Sequence, residues 1–65
     1  MEHEWTKYEE DVLAGNAYNL GSLKGKMLFL TDEDVKYLVD YHPYVRTERS
    51  ILLQLDKLIP FAVVS

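Results

Sequence analysis

The sequence predicts an all-α fold, a single small domain of three helices. Three segments each open on a threonine with an acidic residue one to three positions later, a pattern typical of a capped helix N-terminus. Apolar residues recur at helical spacing within each segment, and a proline follows both the second and the third. A chain of 65 residues has room for one such domain.

The first predicted helix opens at Thr6, which has capping-box spacing to Glu9. Helical spacing then relates a set of apolar residues: Trp5, Tyr8, Val12 and Leu13. The sequence leaves two ends open for this helix, one at Gly15-Asn16 and one near Leu20-Gly21. We expect Trp5, Tyr8 and Tyr37 to fill the core of so small a domain.

The segment between the first two helices is less regular. Residues 21–26 contain two glycines and are predicted to form a loop. The short apolar run Met27 to Leu30 fits a strand, a helical turn or a buried loop equally well. The sequence does not choose among these three.

The second predicted helix opens at Thr31 and carries three acids in its first turn, Asp32, Glu33 and Asp34. One helical face collects Val35, Leu38, Val39 and His42. Because proline disfavours helix at the residue before it, Pro43 places the end of this helix near His42.

The third predicted helix opens at Thr47 and ends before Pro60. Its apolar stripe comprises Ile51, Leu52, Leu55, Leu58 and Ile59. Residues 1–4 and 61–65 are interpreted as tails. The second of these is apolar, so it either folds back onto the core or docks on a partner.

Composition excludes several classes of protein. The chain has no cysteine, which rules out disulfides and thiolate zinc sites. The net charge of −4 disfavours non-specific attraction to nucleic acid or anionic lipid. The N-terminus is acidic, and no apolar run approaches the ~20 residues that a membrane span needs. We therefore expect a cytoplasmic protein with neither a signal peptide nor a membrane anchor.

Catalytic and metal-binding patterns are weak. Gly15 and Gly21 do not match the spacing of a phosphate-binding loop, and no glycine-flanked nucleophile occurs. His3 stands third from the amino terminus, an arrangement that can chelate copper or nickel, while His42 is interpreted as a packed residue making one hydrogen bond. The sequence thus predicts a protein that is not an enzyme and has no cofactor and no metal.

Two stretches resemble Myb/SANT-type three-helix modules. The stretch Trp5 to Leu13 is similar to their opening, with tryptophan, threonine, acids four and five residues on, and an aliphatic residue at plus eight. The stretch Arg46 to Ile51, followed by Leu55, is similar to the turn and start of their third helix. The family's second and third tryptophans are absent, and the nearest stand-ins are Phe29 and Leu55. The resemblance implies a helix-turn-helix-like fold whose third helix enters the DNA major groove, or an acidic relative that binds proteins.

Two functional hypotheses follow. The favoured one is a small acidic regulatory module, an adaptor or inhibitor that docks on a larger protein, which itself could act on nucleic acid. Its predicted contact residues are Asp32, Asp34, Phe61 and Val63. The alternative is a DNA-binding transcriptional regulator, acting as a homodimer because one small module makes few phosphate contacts. Its predicted contact residues point outward from the third helix: Arg46, Arg49, Ser50, Gln54 and Lys57.

Overall fold

The computed structural model describes residues 4–65 and shows an α+β domain of three helices and one three-stranded sheet. The predicted all-α, helix-turn-helix-like fold is therefore wrong. The helices are α1 (Lys7–Leu20), α2 (Asp32–Asp40) and α3 (Glu48–Leu58). The strands are β1 (Ser22–Lys24), β2 (Met27–Leu30) and β3 (Ala62–Val64). Strands of three or four residues are too short to show a period in the sequence. For this reason β1 and β3 were not predicted, whereas β2 is the strand that was one of the three alternatives left open for Met27 to Leu30.

The three predicted helix starts are confirmed. Thr6 and Glu9 form a reciprocal capping box, in which each side chain accepts the backbone N–H of the other. Thr31 and Asp34 do the same at the start of α2. At the start of α3, the Thr47 hydroxyl accepts the Ser50 N–H at 3.1 Å.

The helix ends differ from the predictions in detail. Of the two ends left open for α1, the structure shows the longer, because the helix runs through Gly15 to Leu20. Gly21 caps it by donating its N–H to the Ala17 carbonyl at 2.9 Å. Helix α2 stops at Asp40, two residues before the predicted end at His42.

The segment predicted as a loop, residues 21–26, instead contains β1 and the turn of a hairpin. Lys24 pairs with Met27, so Gly25 and Lys26 form a two-residue connection. Gly25 has φ 61°, and no residue other than glycine has positive φ within residues 4–65. Glycine at the first turn position followed by a residue with negative φ is the pattern of a type II′ hairpin turn. Its twist matches that of the flanking strands.

The sheet has the order β1-β2-β3, with β1 antiparallel and β3 parallel to the central β2. The pair Leu28 and Ala62 begins the parallel register, which continues through Leu30 and Val64. The apolar residues after Pro60 thus fold back onto the domain as its third strand, which is one of the two alternatives that the sequence left open.

The core lies between the helices and one face of the sheet. Leu28 and Leu30 point inward from β2 and are almost completely buried. They pack in one cluster with residues from all three helices and the turn after α3: Leu13, Ala17, Leu38, Ile51, Leu55 and Ile59. On the other face of β2, Met27 and Phe29 are exposed. No helix within residues 4–65 is both long and apolar enough to cross a membrane.

Candidate functional site

The most unusual feature of the interior is a buried ion cluster formed by Glu9, His42 and Arg46. The Glu9 and His42 side chains are inaccessible to solvent, and only 5% of the Arg46 side chain is exposed. Glu9 belongs to the first turn of α1, whereas His42 and Arg46 belong to the connection between α2 and α3. The cluster therefore joins segments that are more than thirty residues apart in the sequence.

The geometry satisfies the Glu9 carboxylate almost completely. Arg46 donates to both carboxylate oxygens, from Nη2 to Oε1 at 2.6 Å and from Nε to Oε2 at 3.0 Å. Oε2 lies 2.9 Å from His42 Nε2, and Oε1 accepts the Thr6 N–H at 2.9 Å. A two-pronged arginine–carboxylate contact with further donors is the arrangement that makes a buried charge tolerable.

These contacts keep Glu9 ionised. The hydrogen bonds from the Arg46 side chain lower the pKa of Glu9 to about 2, although burial of the carboxylate opposes the shift. The hydrogen bonds from His42 and Thr6 lower the pKa further. The carboxylate is thus a permanent negative charge at every physiological pH.

Trp5 covers the cluster. Its ring centroid lies 4.7 Å from the Arg46 guanidinium carbon and 4.9 Å from the centroid of the His42 ring. The predicted role of His42 as a packed residue with one hydrogen bond is confirmed. Its other ring nitrogen, Nδ1, is buried and has no hydrogen-bond partner among residues 4–65.

The acids of α1 differ in their surroundings, because Glu9 is buried whereas Asp11 is exposed. Likewise, Trp5 packs against the core, but Tyr8 and Tyr37 do not fill it and are exposed. Tyr37 instead stacks on Tyr41 at a centroid distance of 4.3 Å, along the outside of α2. Because the Glu9 and His42 side chains are inaccessible to solvent, their contacts serve to join distant segments of the fold.

The second unusual feature is the outer sheet face, which we define by Met27, Phe29, Phe61 and Val63. Phe29 and Val63 are direct partners in the ladder, so their side chains point to the same side. Met27 and Phe61 stand beside the preceding pair, Leu28 and Ala62. Met27, Phe29 and Phe61 each expose more than a third of their surface, and Val63 is half-buried.

Polar and aromatic groups border this face. Lys24, on the neighbouring strand, places its Nζ 5.8 Å from the centroid of the Phe29 ring. The Tyr18 ring lies against Phe61, with centroids 6.3 Å apart. Lys26 projects from the adjacent turn and is exposed. The face is therefore an apolar patch with cations at the hairpin end.

The residues predicted to contact a protein partner fall in two places. Phe61 and Val63 lie together on the outer sheet face. Asp32 and Asp34 lie in the first turn of α2, where the Asp34 carboxylate is already engaged by the Thr31 N–H at 2.9 Å. Met27 and Phe29 were not among the predicted contact residues, and the available signal was the pair Gly25-Lys26 directly before the apolar run Met27 to Leu30.

The residues predicted to contact DNA are also divided. Arg46 does not point outward, because it binds Glu9 within the core, and Ser50 is buried. Gln54 donates to the Glu10 carboxylate of α1. Arg49 and Lys57 remain exposed and line a shallow cavity of about 390 Å³, together with Trp5 and Leu53. DNA binding through α3 stays a prediction, and Arg49 and Lys57 are the two exposed cations that could make the contacts.

The part of the chain that the structure describes contains no group of three or more His, Asp or Glu side chains arranged to hold a metal ion. His3, the residue with the chelating position next to the amino terminus, lies outside the described residues.

Comparison with known proteins adds no relative. No protein-family model, no curated protein and no solved structure matches this chain.

Proposed function

We propose that this protein is a non-enzymatic regulatory module, an adaptor or inhibitor that docks on a larger cytoplasmic protein through the outer sheet face. The observation that supports the proposal is the placement of four apolar side chains side by side on the uncovered face of the sheet: Met27, Phe29, Phe61 and Val63. A sheet with one face in water ordinarily alternates apolar residues inside with polar residues outside. Contiguous apolar patches that break this rule are typical of interaction surfaces.

The size of the face favours one helix as the occupant. Three strands spaced about 4.8 Å apart, each with three or four residues rising about 3.3 Å, present a surface of roughly 10 by 13 Å. A single α-helix has a diameter of about 10 Å, and three of its turns would cover the face.

Charge favours an acidic flank on that helix. Lys24 and Lys26 stand at the hairpin end of the face, and neither has an ion-pair partner within residues 4–65. We therefore propose an amphipathic helix of the partner, with an apolar stripe bordered by Asp or Glu.

A second copy of the chain fits less well. A two-fold interface would bring the lysines of both copies to the same contact.

The proposal is tested with a synthetic helical peptide that carries a leucine stripe flanked by glutamates, titrated into the ¹⁵N-labelled protein. We expect the amide resonances of Phe29 and Val63 to shift, and the same peptide with lysines in place of glutamates to bind more weakly. Equal binding of both peptides would contradict the acidic flank, and unshifted Phe29 and Val63 resonances would contradict the surface.

A matched pair of variants extends the test to the natural partner. Phe29→Thr/Val63→Thr makes the face polar with residues that favour strands, whereas Tyr41→Thr changes an exposed aromatic residue on α2. We expect the wild type and Tyr41→Thr to capture the partner from host lysate. The double variant should not capture it. Retention of the same protein by the double variant would remove the outer sheet face as the docking site.

A further inference from the structure

Strand β3 has a free backbone edge. The Leu28 N–H donates to the Phe61 carbonyl at 3.1 Å, and the Ser65 N–H donates to the Leu30 carbonyl at 3.1 Å. Between these two bonds, Val63 is the ladder partner of Phe29, so both of its backbone groups point toward β2. Backbone groups alternate in direction along a strand, so the N–H and C=O of Val64 and the C=O of Ala62 point away from the sheet.

The remaining group on this edge is already used. The Ala62 N–H donates to the Ile59 carbonyl at 2.9 Å, in the turn that leads into the strand. Among the described residues no backbone hydrogen bond reaches the Val64 N–H. The edge thus offers one donor flanked by two acceptors, the set that an added strand needs.

A groove runs beside this edge. It has a volume of about 210 Å³ and lies between α3 and β3, lined by Leu52, Leu55, Asp56, Ala62 and Val64. Its apolar walls fit an aliphatic side chain. Asp56 is exposed at the groove and has no ion-pair partner within residues 4–65.

The other edge of the sheet is built differently. Strand β1 carries Lys24, and its turn carries Lys26, so charged side chains stand at that edge. Lysines on an edge strand discourage the addition of another strand. The β3 edge has only Ala62, Val63 and Val64, with no charge of its own.

We propose that the β3 edge binds an extended segment of a protein partner by strand addition, with an aliphatic side chain in the groove and a Lys or Arg beside Asp56. Main-chain hydrogen bonds supply affinity in this mode, and the groove supplies specificity. The net charge of −4 also favours a basic segment. This surface is separate from the outer sheet face, so it stands or fails independently of the function proposed above.

A second copy of the chain is a poorer occupant. Two-fold pairing of β3 with itself would centre on Val64, whose N–H and C=O would exchange two hydrogen bonds with the other copy. It would also bring the two Asp56 carboxylates to one interface, where they would repel each other.

The test uses a short capped peptide of alternating valine and lysine as the probe, with the full chain as the receptor. We expect the peptide to slow hydrogen exchange of the Val64 amide about tenfold, because that N–H becomes hydrogen-bonded. The control peptide has the same sequence with alternate amides N-methylated, which keeps the charge and removes the donors. Equal binding of the two peptides, or unchanged exchange at Val64, would overturn strand addition.

Two variants of the protein make the test sharper. Val64→Pro removes the outward N–H without touching a ladder bond, and it should weaken peptide binding about tenfold, whereas Val64→Thr keeps the N–H and should bind like the wild type. Asp56→Asn should weaken binding severalfold, with a smaller loss at high salt. If Val64→Pro binds the peptide with wild-type affinity, the β3 edge is not where the peptide binds. If that variant does not fold, the comparison with the N-methylated peptide provides the test.

Discussion

The two ends of this molecule place polar and apolar groups in opposite ways. Around Glu9 and Arg46, charged side chains are buried where apolar residues would be expected. On the outer sheet face, Phe29 and its neighbours are left in water where polar residues would be expected. The Glu9 carboxylate and the Arg46 guanidinium are paired with each other, so they hold the fold together, whereas the exposed apolar residues of the sheet face are accessible to another molecule. Among the unusual side chains, the accessible ones therefore indicate function.

Removing one partner of the buried ion cluster should have the largest effect on stability. Arg46→Met leaves the Glu9 carboxylate buried without its main partner, which costs about 3–5 kcal/mol. A core of this size rarely supplies more than ~3–5 kcal/mol in total, so we expect the variant to be largely unfolded at 25 °C. Circular dichroism with urea titration measures the loss.

The double variant Glu9→Leu/Arg46→Met is the control for that experiment. It removes both charges, and replacing a buried pair by apolar residues is often neutral or stabilising. We expect it to be more stable than Arg46→Met alone. Because Glu9→Leu also removes the contacts of Glu9 with the Thr6 N–H and with His42, a double variant that is less stable than the single one would show that these contacts outweigh the cost of burying the charge.

Acid should destabilise the protein through the same cluster. The pKa of Glu9 is about 2 in the folded state and ordinary, about 4.3, in the unfolded chain, so the unfolded state binds the proton first as the pH falls. The stabilisation by Glu9 is complete above about pH 5 and is lost between there and pH 2. Urea midpoints across this range, compared with those of Glu9→Gln, isolate the contribution. Parallel curves for the two proteins would contradict it.

A smaller effect is expected at the junction between α1 and the sheet. A Cβ at Gly21 would lie 2.6 Å from Cδ1 of Leu28 and 3.0 Å from the Ala17 carbonyl oxygen. Gly21→Ala should therefore cost about 1–3 kcal/mol through overpacking. Gly15→Ala is the matched control, because a Cβ there meets nothing within 4 Å. It should stabilise the helix by about 0.5–1 kcal/mol, and thermal unfolding of the two variants should move in opposite directions.

The outer sheet face should have the smallest effect on stability. Phe29→Thr changes a side chain that is 38% exposed, and we expect the free energy of unfolding to change by less than about 1 kcal/mol. Its neighbour Leu28 points into the core, so Leu28→Ala should cost about 2–5 kcal/mol. Similar losses in both variants would mean that the outer face serves the fold and is not reserved for a partner.

Local signals in the sequence predicted the helices well and the sheet poorly. Thr6, Thr31 and Thr47 all cap helices as predicted, because a cap depends only on residues within one turn. The sheet depends on pairing Leu28 with Ala62, and nothing near either residue encodes the other. Pro60 correctly indicated the end of α3, but the same proline suggested a tail where a strand follows.

The candidate site was predictable in part for the same reason. Phe61 and Val63 were recognised as apolar residues beyond the last helix, yet their neighbours Met27 and Phe29 are brought to them only by the sheet. Arg46 was assigned to a surface because the apolar stripe of α3 was expected to face inward and leave it outside, whereas its partner Glu9 already had a sufficient local role in the capping box. Because the capping box already accounted for Glu9, its second contact, with Arg46, was not predicted, and the ion cluster was missed.

The position of Trp5 has a practical consequence for spectroscopy. It is the single tryptophan of the chain, and its indole contacts both the guanidinium of Arg46 and the imidazole of His42. Selective excitation of tryptophan therefore yields emission from one corner of the molecule only, the corner that joins α1 to the connection before α3. A change in that emission reports separation of these segments, while tyrosine signals from the five phenols are spread over the rest of the chain. The protein thus carries a native fluorophore beside its buried ion cluster, and unfolding can be followed there without any label.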